Sequence, residues 1–168
     1  MYLWQVRGLC GILGFPLFIL QASMPVARKS LATSCGTLLV NPHGQLLLCH
    51  VTGTRNWDIP KGMQDPGEST LEAAMRELYE EAGLVFDASA FEDLGSFDYR
   101  RDKRLHLYKV RAPAELESLE ALHCTSYFLH QYTGVMTPEA DGFMWAGRAQ
   151  IRTLCWPRMA ERLLALEW

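Results

Sequence analysis

A chain of 168 residues, with 49% hydrophobic and 21% charged side chains, is long enough to bury one core and too apolar to remain disordered. A formal net charge of −3 gives no reason to expect a surface that binds DNA by bulk electrostatics. Five scattered cysteines (Cys10, Cys35, Cys49, Cys124, Cys155), odd in number and without a C-x-x-C, point to reduced structural thiols in a cytoplasmic protein.

The first feature along the chain is apolar. Residues 8–20, GLCGILGFPLFIL, follow Arg7 and are too few to span a bilayer. Three readings fit them. The favoured one is translation from Met24, because the polar stretch 25–30 then leads directly into a strand. The others are a targeting or membrane segment, with Gln21-Ala22-Ser23 as a weak cleavage site, and an extra folded element whose glycines and Pro16 disfavour a helix. Residues 24–168 are expected to form a single domain, with no membrane association if residues 1–23 are absent.

Residues 31–40 and 45–52 read as strands joined by the turn Asn41-Pro42-His43-Gly44. Trp57-Asp58-Ile59-Pro60 is a short extended segment, and 62–68 is a loop rich in Gly, Pro and Asp. A helix is expected from Thr70 to Ala82. Ser69 and Glu72 make a capping box before it, no Gly or Pro interrupts it, and Gly83 ends it. Beyond the helix, 94–100 and 104–111 form a second hairpin around Arg101-Asp102-Lys103, and 113–122 is a surface loop or short helix. Residues 127–131 and 142–146 are short strands. A C-terminal helix over 156–166 carries the apolar stripe Met159, Leu163 and Leu166. Strands, helix, strands, helix is the order of a sheet covered by helices, an α+β fold.

The chemistry is concentrated in residues 62–84. At 100° per residue, Leu71, Ala74, Met75, Leu78 and Ala82 share the face expected to pack on the core. Glu77, Glu80 and Glu81 share another within roughly 100° of arc, with the small Ala73 between the two. Three carboxylates at i, i+3 and i+4 repel one another, and Arg76 is the only base in the helix. A hard divalent cation with oxygen ligands removes that repulsion, and the absence of Cys and His argues against zinc.

The same segment reads G-x5-E-x7-R-E-U-x-E-E-x-G-U, with Leu78 and Leu84 at the aliphatic positions. It resembles the signature of the Nudix hydrolases at every position. The resemblance implies a Nudix fold, a mixed β-sheet sandwiched between helices (an α-β-α sandwich). It implies hydrolysis of a nucleoside diphosphate linked to another group, with Mg²⁺, or Mn²⁺ in its place, as cofactor. On that resemblance Glu80 and Glu81 ligate the metal or hold its water, and Glu77 is either a further ligand or the general base. Glu68 and Arg76 form an internal ion pair, the Lys61 or Gly62 carbonyl completes the metal shell, and Gly62 and Gly83 serve the backbone. The family's base often lies in a distant loop. Here Glu139, in TPEADGF with Asp141 behind it, is the distal candidate.

The lead-in W-D-I-P-K-G resembles the subgroup that cleaves dinucleoside polyphosphates, which makes Lys61 a candidate for a substrate phosphate as a point charge. Arg55 is a further phosphate candidate. The basic cluster Arg100, Arg101, Lys103 and Arg104 reads first as a solvated hairpin turn. Base-stacking candidates are Tyr127, Phe128, Tyr132, Phe143 and Trp145, and His50 and His106 read as packed strand residues. The expected partner is a nucleotide, a nucleoside triphosphate or dinucleoside polyphosphate, bound by a monomer or homodimer. Pyrophosphate removal from RNA 5′ ends is the enzymatic rival, and a non-catalytic nucleotide sensor is the rival from another class. The intact set of four box acids weighs against the sensor.

Overall fold

β1 (Ala32–Val40) is the spine of the molecule. In the computed structural model, which describes residues 31–168, β1 runs parallel to β6 (Lys103–Arg111) from Ala32–Lys103 to Val40–Arg111. Readings of residues 1–23 lie outside the described residues. β6 pairs in turn with β5 (Glu92–Arg100) as the expected second hairpin, with register shifts either side of Gly95 to Asp98.

The first hairpin pairs differently from a simple ribbon. β1 meets β2 (Leu46–Val51) only at Val40–Leu46, next to a turn in which the Asn41 carboxamide accepts from the His43 and Gln45 amides. The strands then diverge, and residues 57–63 fill the gap. β3 (Trp57–Asp58) pairs with β2, and β4 (Lys61–Met63) pairs with β1. Pro60 lies between them. It cannot donate to a ladder, but its carbonyl accepts from Thr37 N–H at 3.0 Å. β9 (Ala140–Ala146) lies along the other side of β2 and completes a seven-stranded mixed sheet.

Two elements go beyond the sequence reading. β7 (Tyr127–Leu129) does not join this sheet. It pairs with β8 (Met136–Pro138) in a separate two-stranded ribbon. A helix α2 (Arg148–Leu154) precedes the C-terminal helix α3, which spans Pro157–Leu164 with Pro157 in its first turn.

Helix α1 (Thr70–Ala82) is closed as its caps dictate. Ser69 Oγ accepts from Glu72 N–H, Glu72 returns the bond to Ser69 N–H, and Gly83 ends the helix at φ 70°. Its buried face is turned toward the acids relative to expectation. Ala73, Ala74, Glu77, Leu78 and Ala82 are buried, while Leu71 and Met75 are half-buried. The small Ala73 allows this, because it packs with Cys35 and Tyr108 where a larger residue would hold the helix off the sheet.

The period-2 alternation of the central strands divides the core between two layers. Leu38, Val40, Leu46 and Leu48 face α2 and α3 and pack with Ile59, Ile151, Met159 and Leu163. Leu39, Leu47 and Cys49 face α1 and pack with Leu78, Ala82 and Val110. Each fully buried leucine contributes about 2 kcal/mol. The sandwich thus fixes α1 across β1 and β4, and the acids lie along that seam.

Candidate active site

Arg76 gathers the acids of the motif. Its Nε and Nη2 donate to the two oxygens of Glu68 at 2.9 and 3.0 Å, and its Nη1 donates to Glu77 at 2.7 Å and Glu80 at 2.9 Å. Nη2 also donates to the Met63 carbonyl at 2.8 Å, which ties the loop before α1 to the helix. Hydrogen bonding to Arg76 lowers the pKa of Glu68 below its ordinary value. Glu77 is shifted the other way, because burial of its carboxylate outweighs the same guanidinium.

Glu81 points from the next side of the helix toward β4, and accepts from Lys61 N–H at 3.3 Å. Burial, with Glu77 nearby, pushes its carboxyl up to about 8 against the pull of Lys61. The Lys61 ammonium is itself paired at 2.9 Å with Asp58, which is only 4% exposed and also accepts from Ile59 N–H. Burial disfavours the ammonium, but Asp58 and Glu81 more than offset this and hold its pKa above the ordinary lysine value.

A cavity of about 350 Å³ opens at this end of the helix, lined by Glu81, Lys61, Asp58, Thr52, Phe128, Glu139 and Trp156 among others. Glu139 is held there by its backbone. Its N–H donates to Ser126 O and its carbonyl accepts from Thr52 N–H, while Thr125 and Ser126 anchor the same loop to the Glu80 carbonyl at the end of α1. Thr52 lines the cavity, and its Oγ1 is buried with no hydrogen-bond partner among the described residues.

A family model described as NUDIX domain matches residues 31–161. The chain belongs to the NUDIX family. This Nudix chain is 35% identical over 140 residues to an uncharacterized 17.7 kDa protein of Enterobacteria phage T4, covering 78% of this chain and 92% of that one. It is 31% identical over 118 residues to an RNA pyrophosphohydrolase of Photobacterium profundum, covering 66% of each. Among solved structures, the NUDIX domain of Shewanella oneidensis NrtR complexed with ADP ribose superposes with a TM-score of 0.58 at 17% identity, covering 86% of this chain and 90% of that one. The last likeness speaks to the fold alone. With the family comes its class: the chain is a Nudix hydrolase of the pyrophosphohydrolase type.

The Nudix box brings Glu68, Arg76, Glu77, Glu80 and Gly62 together around one guanidinium, and Glu81, Lys61 and Glu139 around one cavity. Gly83 turns the chain at positive φ against His123, where a side chain would be strained and crowded. The two expected phosphate contacts, Arg55 and Lys61, are placed differently. Arg55 is exposed in the turn between β2 and β3 and does not line the cavity, although Thr52 of the same turn does. Lys61 lines the cavity, and its ammonium is paired with the buried Asp58. Among the expected stacking residues Phe128 lines the cavity, whereas Phe143 and Trp145 pack on the α1-side core and Tyr132 is 93% exposed. His50 pairs with Asp141, and His106 bonds Asp93 and Ser96, so both are engaged away from the cavity. Thr52, Asp58 and Trp156 escaped the sequence reading. Only Asp58, in the lead-in Trp-Asp-Ile-Pro-Lys-Gly, carried a signal there.

The donor set fits a hard cation. It consists of carboxylate oxygens and a backbone carbonyl, and the backbone of Gly62 lies against the Glu77 carboxylate in a space that a Cβ would fill. Among the described residues, no three acidic, His or Cys side chains already stand at metal-ligand spacing. Glu77 and Glu80 are instead drawn together by Nη1 of Arg76.

Proposed function

We propose that this chain hydrolyses a pyrophosphate bond in a nucleoside diphosphate linked to a second moiety, in a divalent-metal-dependent reaction on nucleoside triphosphates or dinucleoside polyphosphates. The observation that carries this reading is the intact set of box acids, with Glu68, Glu77 and Glu80 converging on Arg76 and Glu81 opening onto the cavity that holds Glu139. Glu77, Glu80 and Glu81, with the Gly62 carbonyl, would hold Mg²⁺ or Mn²⁺. Such an ion supplies charge neutralisation at the phosphoryl oxygens and a more acidic bound water.

The protein's own groups do the rest. Glu139 takes the proton of the attacking water as its oxygen bonds to phosphorus and the anhydride P–O bond breaks, leaving two phosphate products. Lys61 positions Glu81 through its backbone N–H, and Asp58 keeps the lysine in place. Phe128 and Trp156 offer apolar faces to the nucleobase. Residues 24–168 act as one domain.

A second reading, removal of pyrophosphate from RNA 5′ ends, is favoured by the Photobacterium profundum relative, named an RNA pyrophosphohydrolase. One experiment tests both readings. The protein and its Glu81→Gln variant are incubated with nucleoside triphosphates, dinucleoside polyphosphates, sugar nucleotides and 5′-triphosphorylated RNA, with and without Mg²⁺, and the products are resolved. Metal-dependent cleavage by the wild type and loss of at least about a hundredfold in Glu81→Gln are expected. Normal rates in the variant would sink the metal assignment. Tight binding with no cleavage would make the protein a sensor.

A further inference from the structure

Arginines from two distant stretches of the chain meet around a second cavity. Arg100 and Arg101, at the turn between β5 and β6, and Arg158 and Arg162, on α3, line about 690 Å³ together with Tyr99 and Leu31. Asp98 and Glu161 are the acids in this wall, so four guanidiniums face two carboxylates, and Asp98 lies 3.7 Å from Arg104 outside it. In a chain of net charge −3 this is a local reversal of sign.

Three of the four guanidiniums are held by neighbours. Arg158 Nη1 donates to the Tyr99 carbonyl at 2.8 Å. Arg162 stacks 4.3 Å over the Phe97 ring, and Arg100 lies 5.6 Å over Tyr99. A solvated hairpin turn, the first reading of the Arg100–Arg104 run, does not explain why α3 adds two more arginines to the same wall. Planar forks held in place match phosphate oxygens in pairs and lose little freedom on binding.

The start of α3 links the two cavities along the chain. Trp156 lines the catalytic cavity and Arg158, two residues on, lines this one. Tyr99 and Lys103 lie within electrostatic reach of Lys61 and Asp58.

We infer that the arginine-lined cavity binds backbone phosphates of an oligonucleotide whose 5′ terminal phosphates occupy the catalytic cavity. This deepens the RNA-end reading above and rests on it. Spread guanidiniums suit a chain of phosphates better than a single one, and the contacts are sequence-independent.

The test separates binding from chemistry. Single-stranded RNA of about ten nucleotides with a 5′ hydroxyl is titrated by fluorescence anisotropy into the full-length protein and its Arg101→Ala and Arg158→Ala variants at several salt concentrations. Each variant should bind several-fold more weakly and lower the slope of log K against log salt by about 0.7. In parallel, kcat/KM should rise from nucleoside triphosphate to 5′-triphosphorylated oligonucleotide in the wild type. That increment should vanish in both variants, while turnover of the mononucleotide is unchanged. Equal binding by all three proteins would overturn the inference, as would an oligonucleotide preference in kcat/KM that both variants keep. Failure of the catalytic reading looks different: no substrate is cleaved, yet the arginine-dependent binding persists.

Discussion

Gly62 and Glu77 are placed so closely that a Cβ on the first would fall onto the carboxylate of the second. The glycine is therefore a matter of room: its φ is not in the positive range, and its carbonyl is held by Ser34 Oγ at 2.9 Å. Gly62→Ala must push Glu77 aside or lift β4 from α1. Overpacking of this kind costs about 1–3 kcal/mol. The variant should keep its circular dichroism spectrum, melt lower, and lose at least tenfold in kcat, by the rough standard of a misplaced catalytic group. An unchanged kcat would mean that the position of Glu77 is irrelevant to turnover.

Arg76 pairs with three carboxylates, with its side chain 28% exposed. Removing it leaves Glu68, Glu77 and Glu80 facing one another, and the partial exposure limits the cost to roughly 1–2 kcal/mol. Arg76→Ala should therefore lower the melting temperature of the metal-free protein. Added Mg²⁺ should recover more stability in the variant than in the wild type, because a cation then supplies the missing positive charge. Calorimetry with and without EDTA measures both. A melting temperature equally depressed in both conditions would show that Arg76 matters only by fixing the 62–68 loop.

Much of this site was legible because its signals are local. The cap at Ser69, the stop at Gly83 and the acid spacing along α1 lie within two dozen residues, and each acts through neighbours in sequence. The face of α1 was read one position off because periodicity gives no weight to the size of Ala73 against β1 and β6. What was missed depends on contacts between distant segments. Trp156 reaches the cavity beside Glu81 because the α2–α3 junction is bridged to β3 at Trp57–Cys155. The arginine wall joins residues near 100 to residues near 160, and no pattern along the chain announces that. β8 is a three-residue strand with Pro138 at its end, too short to register as a strand in sequence.

The described cysteines should behave as core residues. Cys35, Cys49, Cys124 and Cys155 are all buried and free. Burial pushes the thiol of Cys35 up to about 11 and that of Cys155 up to about 12, and raises Cys49 well above its ordinary value. Thiolate is the reactive species, so alkylation of these three should be slow in the native protein at pH 8. Peptide mapping after iodoacetamide treatment should find them unmodified under native conditions and modified in guanidinium. Rapid native labelling of Cys35 would show that α1 opens from the sheet.

Glu81 gives the pH dependence a sign. Burial and the neighbouring Glu77 carboxylate raise its pKa from 4.5 in the unfolded chain to about 8 in the fold. Between those values the folded state holds a proton that the unfolded state has released, so stability falls as pH rises across the window. The slope is at most about 1.4 kcal/mol per pH unit from this group. Glu77, shifted in the same direction, adds to it. The metal-free protein should therefore melt progressively lower from pH 5 to pH 8. In Glu81→Gln the profile should flatten, because the amide cannot titrate. On the proposed metal site Mg²⁺ would compete with that proton for the carboxylate, so it should stabilise the wild type more at pH 8 than at pH 6 and have a smaller effect on the variant. Melting curves at fixed ionic strength, with EDTA and with Mg²⁺, measure each of these. A wild-type profile no steeper than that of Glu81→Gln would show that the carboxyl is solvated and ionised throughout, and would remove Glu81 from the buried acid set.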